Sequence, residues 1–162
     1  MAHCAAALLI GIASTRAAHT NWTTSGLSSG AFFAVQMGVA FSSECLGIGV
    51  VAGGPYYCAE ANEIVAVSAC MTAPIEISVD KLEALTDDFA TDGDIDDPAN
   101  IAHQNVYLFS GRKDITVLSG VVADTAKYLQ SFGANTHFDT SQNCAHGFVT
   151  NFYGAHFAFS DF

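Results

Sequence analysis

The chain has 162 residues, 51% of them hydrophobic, and its 16 acidic against 5 basic side chains give a formal charge of −11. That length fits one domain able to bury roughly two-thirds of its unfolded surface, and the composition excludes a disordered segment. The acidic balance argues against nucleic acid or an anionic membrane surface as partner, since both select basic proteins.

The first feature is a short apolar run, Cys4-Ala5-Ala6-Ala7-Leu8-Leu9-Ile10-Gly11-Ile12-Ala13, followed by the small residues Ala17 and Ala18. It is too short to span a membrane and reads as an export signal over residues 1–18, although Met1-Ala2-His3 lacks the usual basic residue. Residues 19–162 are then the mature domain, and the expected location is secreted or periplasmic. Loss of Cys4 leaves Cys45, Cys58, Cys70 and Cys144, an even set that permits three pairings. A Cys58–Cys70 bridge would close a short loop, worth about 3 kcal/mol in the chain-entropy model. The spacings lack the paired C-x-x-C of a zinc site. Asn21-Trp22-Thr23 is an N-glycosylation sequon, meaningful only on a eukaryotic secretory route.

Asn21 to Thr24 is rich in β-formers and predicts a strand. Gly26-Leu27-Ser28-Ser29-Gly30 follows, and Ala31 to Phe41 is apolar almost all round, as in a helix buried within a larger domain. Leu46 to Ala52, ended by Gly53-Gly54-Pro55, reads as a buried parallel strand. Tyr56 to Met71 is a cysteine-bracketed excursion with room for a short helix. Val79, Leu82, Leu85 and Phe89 have helical spacing. In the acidic loop after them Asp92, Asp94 and Asp96 alternate as in a calcium loop. Its sixth position is Asp97 rather than Gly and its twelfth His103 rather than Glu, so it reads as a solvated loop and no metal is expected. Val106 to Phe109 is a third strand, Val117 to Phe132 a helix stopped by Gly133, and Thr136 to Asp139 a fourth strand. Strands alternating with helices predict an α/β fold, a mostly parallel sheet of about four strands with flanking helices and right-handed crossovers.

Gly26 to Gly30 has the form G-x-S-x-G, which between a strand and a helix is the nucleophile elbow of an α/β-hydrolase. Gly26 and Gly30, lacking Cβ, are expected to let strand and helix approach closely around Ser28. The helix N-terminus would aim backbone N–H groups at a developing oxyanion. A serine nucleophile needs a base and an orienting carboxylate, here expected in the order Ser, Asp, His in loops after strands. Asp114 after the third strand and His146 after the fourth fit that order. Among the rivals, Asp139 is the second-choice carboxylate and Asp124 falls within a helix. His103 precedes a strand, while His137 and His156, in apolar surroundings, read as core histidines. Ser29 is out of register for the nucleophile.

Ser25-Gly26-Leu27-Ser28-Ser29-Gly30-Ala31-Phe32, Val51-Ala52-Gly53-Gly54-Pro55-Tyr56-Tyr57-Cys58-Ala59 and Leu108-Phe109-Ser110-Gly111-Arg112-Lys113-Asp114 resemble the secreted poly(3-hydroxybutyrate) depolymerase family. The resemblance runs in separate blocks from about Thr24 to Phe152. It implies a circularly permuted α/β-hydrolase that cuts polyester chains through a Ser-His-Asp triad, with no cofactor. Carried over by position, the nucleophile is Ser28, the carboxylate Asp114 and the base His146. The N–H of Ser29 is the first oxyanion donor, and Cys58 and Cys70 match a bridged pair.

The permuted pattern places further strands after the histidine, whereas this chain stops at Phe162. The domain is therefore expected to be C-terminally incomplete, a partial α/β-hydrolase fold whose elbow strand is an exposed sheet edge open to self-association. Two functions follow as expectations: a secreted serine esterase acting on poly(3-hydroxybutyrate) or a short-chain ester, or a non-catalytic remnant that retains the site.

Overall fold

The computed structural model describes residues 21–152; the expected signal peptide and His156 lie outside the described residues. Strand β1 (Trp22–Leu27) leads through Ser28 into helix α1 (Ser29–Ala40) and then β2 (Cys45–Val51). The excursion after β2 carries a short helix α2 (Glu63–Val67), and the longer α3 (Val79–Asp92) follows. Strand β3 (Asn105–Phe109), helix α4 (Ser119–Ser131) and strand β4 (Asn135–Asp139) complete the order. All strand pairs are parallel, in the spatial order β1-β2-β3-β4. The predicted α/β class and four-stranded sheet are thus present, with β1 and β4 as its two edge strands among the described residues.

Local chemistry explains where the helices start and stop. Ser78 caps α3 by accepting from the Lys81 N–H, and Gly93, at φ 81°, ends it in the left-handed conformation. Gly133, at φ 89°, does the same after α4. Buried apolar residues of α1, α3 and α4, among them Val35, Leu82 and Leu129, meet Ile48, Val50, Val106 and Leu108 of the central strands in one core. Tyr128 and Thr86 share a hydrogen bond of 2.6 Å inside it, joining α4 to α3.

The acidic loop is tied down. Asp96 accepts from both the N–H and the hydroxyl of Ser43, at 2.9 and 2.6 Å, and Asp97 caps the 3₁₀ turn Pro98–His103. Among the described residues no helix is long and apolar enough to cross a membrane.

One consequence of the topology is not visible in the periodicity. Right-handed crossovers between strands laid down in unbroken order bring every connecting helix to the same face. The rows Thr24–Ile48–Val106–Thr136 and Gly26–Val50–Leu108–Phe138 face the helices. The alternate rows, Thr23–Gly47–Asn105–Asn135 and Ser25–Gly49–Tyr107–His137, lie on the other face, where Thr23, Ser25, Asn105, Tyr107, Asn135 and His137 are all exposed. His137 is therefore not a core histidine. It stacks on Tyr107 at a ring separation of 5.7 Å on the open face, because alternation in a five-residue strand turns it outward.

Candidate active site

Ser28 stands where β1 ends and α1 begins, at φ 56° and ψ −125°, a backbone conformation that non-glycine residues rarely adopt. Its surroundings hold it there. Its N–H donates to Val51 O at 2.9 Å, and its carbonyl accepts from Ala31 and Phe32 at 2.8 and 3.0 Å, locking it into the first turn of α1. Although it occupies the N-cap position, its side chain makes no capping hydrogen bond. The N–H of Ser29 lies in the first helical turn, where backbone donors have no acceptor within their own helix.

The two glycines of the turn differ in their roles. A Cβ on Gly26 would lie 2.2 Å from the backbone carbon and oxygen of Gly30, so β1 and α1 touch there only because residue 26 has no side chain. A Cβ on Gly30 would meet nothing within 4 Å. The expectation that both glycines serve close approach holds for Gly26 and is corrected for Gly30, whose backbone is approached but whose missing side chain leaves open space.

Asp114 and His146 come together across the sheet edge. His146 Nδ1 is 2.8 Å from Asp114 Oδ2, with both side chains almost fully buried. A carboxylate offers only acceptors, so Nδ1 carries the hydrogen. The other oxygen, Oδ1, accepts from the N–H groups of Thr116 and Val117 at 2.9 and 3.0 Å, which fixes the plane of the carboxylate.

The last ladder bonds of the sheet set the three loops in register. Besides Ser28 N–H to Val51 O, these are Ala52 N–H to Phe109 O at 2.9 Å and Ser110 N–H to Asp139 O at 3.1 Å. Ser28, Asp114 and His146 thus leave from the C-terminal ends of β1, β3 and β4, the edge at which open parallel sheets carry their sites.

A cavity of about 540 Å³ opens at the serine turn. Ser28, Phe32, Tyr57, Met71 and Val117 contribute to its largely apolar lining, and Val117 links it to the Asp114 carboxylate. The excursion after β2 forms one wall, stapled by a Cys58–Cys70 disulfide with a Cα separation of 6.0 Å. Tyr57, Glu60 and Ala61 of this wall also have positive φ. Gln36 of α1 supports it by accepting the Tyr57 N–H at 3.0 Å, and Lys81 of α3 pairs with Glu60. Cys45 and Cys144 are free and buried. Burial pushes the Cys144 thiol up, and the Asp114 and Asp139 carboxylates add to that.

The rival carboxylate is engaged elsewhere. Asp139 accepts from Ser141 N–H at 2.7 Å, the main reason its carboxyl is held below the usual range, and from Tyr107 OH at 3.3 Å. Sequence reasoning missed Gln36 and the Thr116 and Val117 amides, because nothing in their residue types marks them. Gly111 stands in the sequence only as part of the block Leu108 to Asp114 that carries the family resemblance.

No protein-family model matches the sequence. Among curated proteins the chain is similar to a poly(3-hydroxybutyrate) depolymerase of Delftia acidovorans, 41% identical over 93% of this chain and 33% of that protein. It is also similar to a polyhydroxybutyrate depolymerase of Talaromyces funiculosus, 33% identical over 82% of this chain and 39% of that protein. Among solved structures, a PHB depolymerase complexed with an R3HB trimer superposes with a TM-score of 0.73 at 30% identity, covering 88% of this chain and 46% of that one. The PHB depolymerase from Penicillium funiculosum gives 0.70 at 32% identity, covering 85% and 43%. The chain thus spans between a third and two-fifths of the length of these curated relatives, and its four parallel strands and helices are part of an α/β-hydrolase fold.

Proposed function

Because this chain belongs to the poly(3-hydroxybutyrate) depolymerase family, we propose that it carries the site of a secreted serine esterase acting on a polyhydroxyalkanoate ester. In this reading Ser28 Oγ attacks the ester carbonyl carbon while His146 Nε2 takes the hydroxyl proton. Asp114 holds the imidazole in the Nδ1–H tautomer and stabilises the imidazolium that forms. The Ser29 N–H receives the developing oxyanion. Collapse of the tetrahedral intermediate breaks the ester C–O bond, and His146 returns the proton to the leaving alkoxide. Water then hydrolyses the acyl-Ser28 intermediate by the same steps in reverse roles.

The observation that carries the reading is the 2.8 Å contact between buried His146 and Asp114, at the same sheet edge as a serine held at positive φ. The apolar cavity beside Ser28 suits a neutral aliphatic acyl chain, and the acidic charge of the chain disfavours an anionic substrate. Residues 1–18 are proposed to be removed on export, which N-terminal sequencing of the secreted protein checks.

The test is hydrolysis of amorphous poly(3-hydroxybutyrate) beside short-chain nitrophenyl esters, together with labelling by a fluorophosphonate. Label is expected on Ser28 and absent in Ser28→Ala. Label on Ser29, or label that survives the substitution, overturns the nucleophile assignment. Cleavage of nitrophenyl esters with none of the polymer reduces the reading to a short-chain carboxylesterase.

The sheet face left uncovered by the described residues favours a second reading, that the chain keeps the site without being an efficient enzyme by itself. Parallel sheets are normally covered on both faces, and among the described residues β1 also has an edge with no strand partner. Self-association is the expected behaviour of such a surface. A monomeric solution mass, a cooperative melt and robust Ser28-dependent hydrolysis would together discard it.

A further inference from the structure

We infer that Gly111 is a positioning residue, whose missing side chain lets the loop carrying His146 seat against the loop carrying Asp114. The inference rests on the proposed roles of those two residues. A Cβ built on Gly111 would lie 2.3 Å from the carbonyl oxygen of Cys144, 2.8 Å from that of Ala145 and 2.9 Å from Cys144 Sγ. The two closest atoms are backbone, which cannot swing aside as a side chain can. Gly111 is not among the glycines at positive φ, which among the described residues are Gly93 and Gly133. What the position requires is space, not conformational freedom.

The neighbouring hydrogen bonds explain why the space cannot be found elsewhere. Ser110, Arg112 and Lys113 donate their N–H groups in succession to the carbonyls of Asp139, Gln142 and Cys144, at 3.1, 3.0 and 2.9 Å. Arg112 Nε adds a bond to Thr140 O at 2.9 Å. The Cys144 carbonyl therefore both accepts from Lys113 and fills the place of the Gly111 side chain, two residues before His146. Any Cβ there must push that carbonyl back by about 1 Å to reach ordinary van der Waals distance. The push is delivered along the short span to His146, against an Asp114 carboxylate fixed by Thr116 and Val117. Gly147, on the other side of His146, is the natural control, since a Cβ there would meet nothing within 4 Å.

The experiment uses the full chain with ¹⁵N-labelled histidine. The wild type is expected to show a strongly deshielded His146 Nδ1 proton, assigned by its loss in Asp114→Asn; its absence from the folded wild type would overturn the inference. Gly111→Ala is expected to melt cooperatively and keep the Cys58–Cys70 disulfide, yet lose or displace that proton, while Gly147→Ala retains it. The rate at which a fluorophosphonate labels Ser28 is expected to fall about 10²-fold in Gly111→Ala, the usual result of a 1 Å misplacement. A folded Gly111→Ala with the proton in place and labelling at the wild-type rate overturns the inference.

Should Gly111→Ala not fold, Arg112→Ala removes only the exposed bond to Thr140. The same proton is then expected to exchange several-fold faster with water, and an unchanged exchange rate overturns the proposal. If the proton responds as described but no variant, wild type included, labels or hydrolyses, the positioning role stands and the esterase reading fails.

Discussion

The turn at Ser28 is held by Gly26, Gly30, Ala31 and Phe32, all within four residues of it, with one ladder bond to Val51. The Asp114–His146 pair is held by contacts between residues 28 and 32 positions apart in the chain. One region concentrates strain in a single backbone unit and contains it locally. The other contains no positive-φ residue between Ser110 and His146 except Gly133, and depends on two loops docking in register. A serine with a constrained backbone can be specified by a pentapeptide. A buried carboxylate–imidazole pair needs a sheet to bring its halves together.

The largest expected effect tests the distant half. Asp114→Asn should leave the fold intact and lower kcat by about 10⁴, as in a serine-protease triad where the imidazole is left in the wrong tautomer. Steady-state kinetics at saturating substrate, beside a thermal melt, checks it. Near-normal turnover would mean that the pair is structural and that the two regions do not act as one site.

A second measurement probes the cavity wall beside Ser28. Replacing both Cys58 and Cys70 by Ser should lower stability by about 3 kcal/mol through the lost loop constraint. Denaturant unfolding gives the value. The Asp114–His146 pair lies outside the closed loop, so its Nδ1 proton signal should not change. A change would show that the wall and the pair are coupled.

The glycine pair sharpens the local half. Gly26→Ala should destabilise by about 1–3 kcal/mol, because its Cβ would be driven into the Gly30 backbone. Gly30→Ala has open space around its Cβ and gains helix propensity, so a stabilisation of up to about 1 kcal/mol is expected. Paired melting curves distinguish these. Equal effects at the two positions would show that the turn tolerates a wider approach of β1 and α1 than its geometry indicates.

Much of this molecule was legible in sequence because the information is local. Alternating apolar runs and their glycine stops mark the four strands and the helices α1, α3 and α4. The pentapeptide Gly26 to Gly30 marks the strained serine, since a sharp strand-to-helix turn needs a small residue at a fixed offset. Asp114 and His146 were legible as candidates because each follows a strand of a parallel sheet.

The tertiary structure alone decided which carboxylate meets the histidine. Asp139 is the same residue type and nearer in sequence, but its oxygens are taken by Ser141 and Tyr107 while Asp114 is aimed inward by two backbone amides. It decided that Gly26 is indispensable by contact and Gly30 is not, and that Gly111 is packed against the Cys144 carbonyl. It also decided that the face carrying His137 and Tyr107 is left uncovered by the described residues, so that the two rings stack in the open. In each case the deciding quantity is a distance between chain segments far apart in sequence, or the side of the sheet on which successive crossovers return. Residue type and periodicity set which segments are strands and helices; only their packing sets which atoms touch.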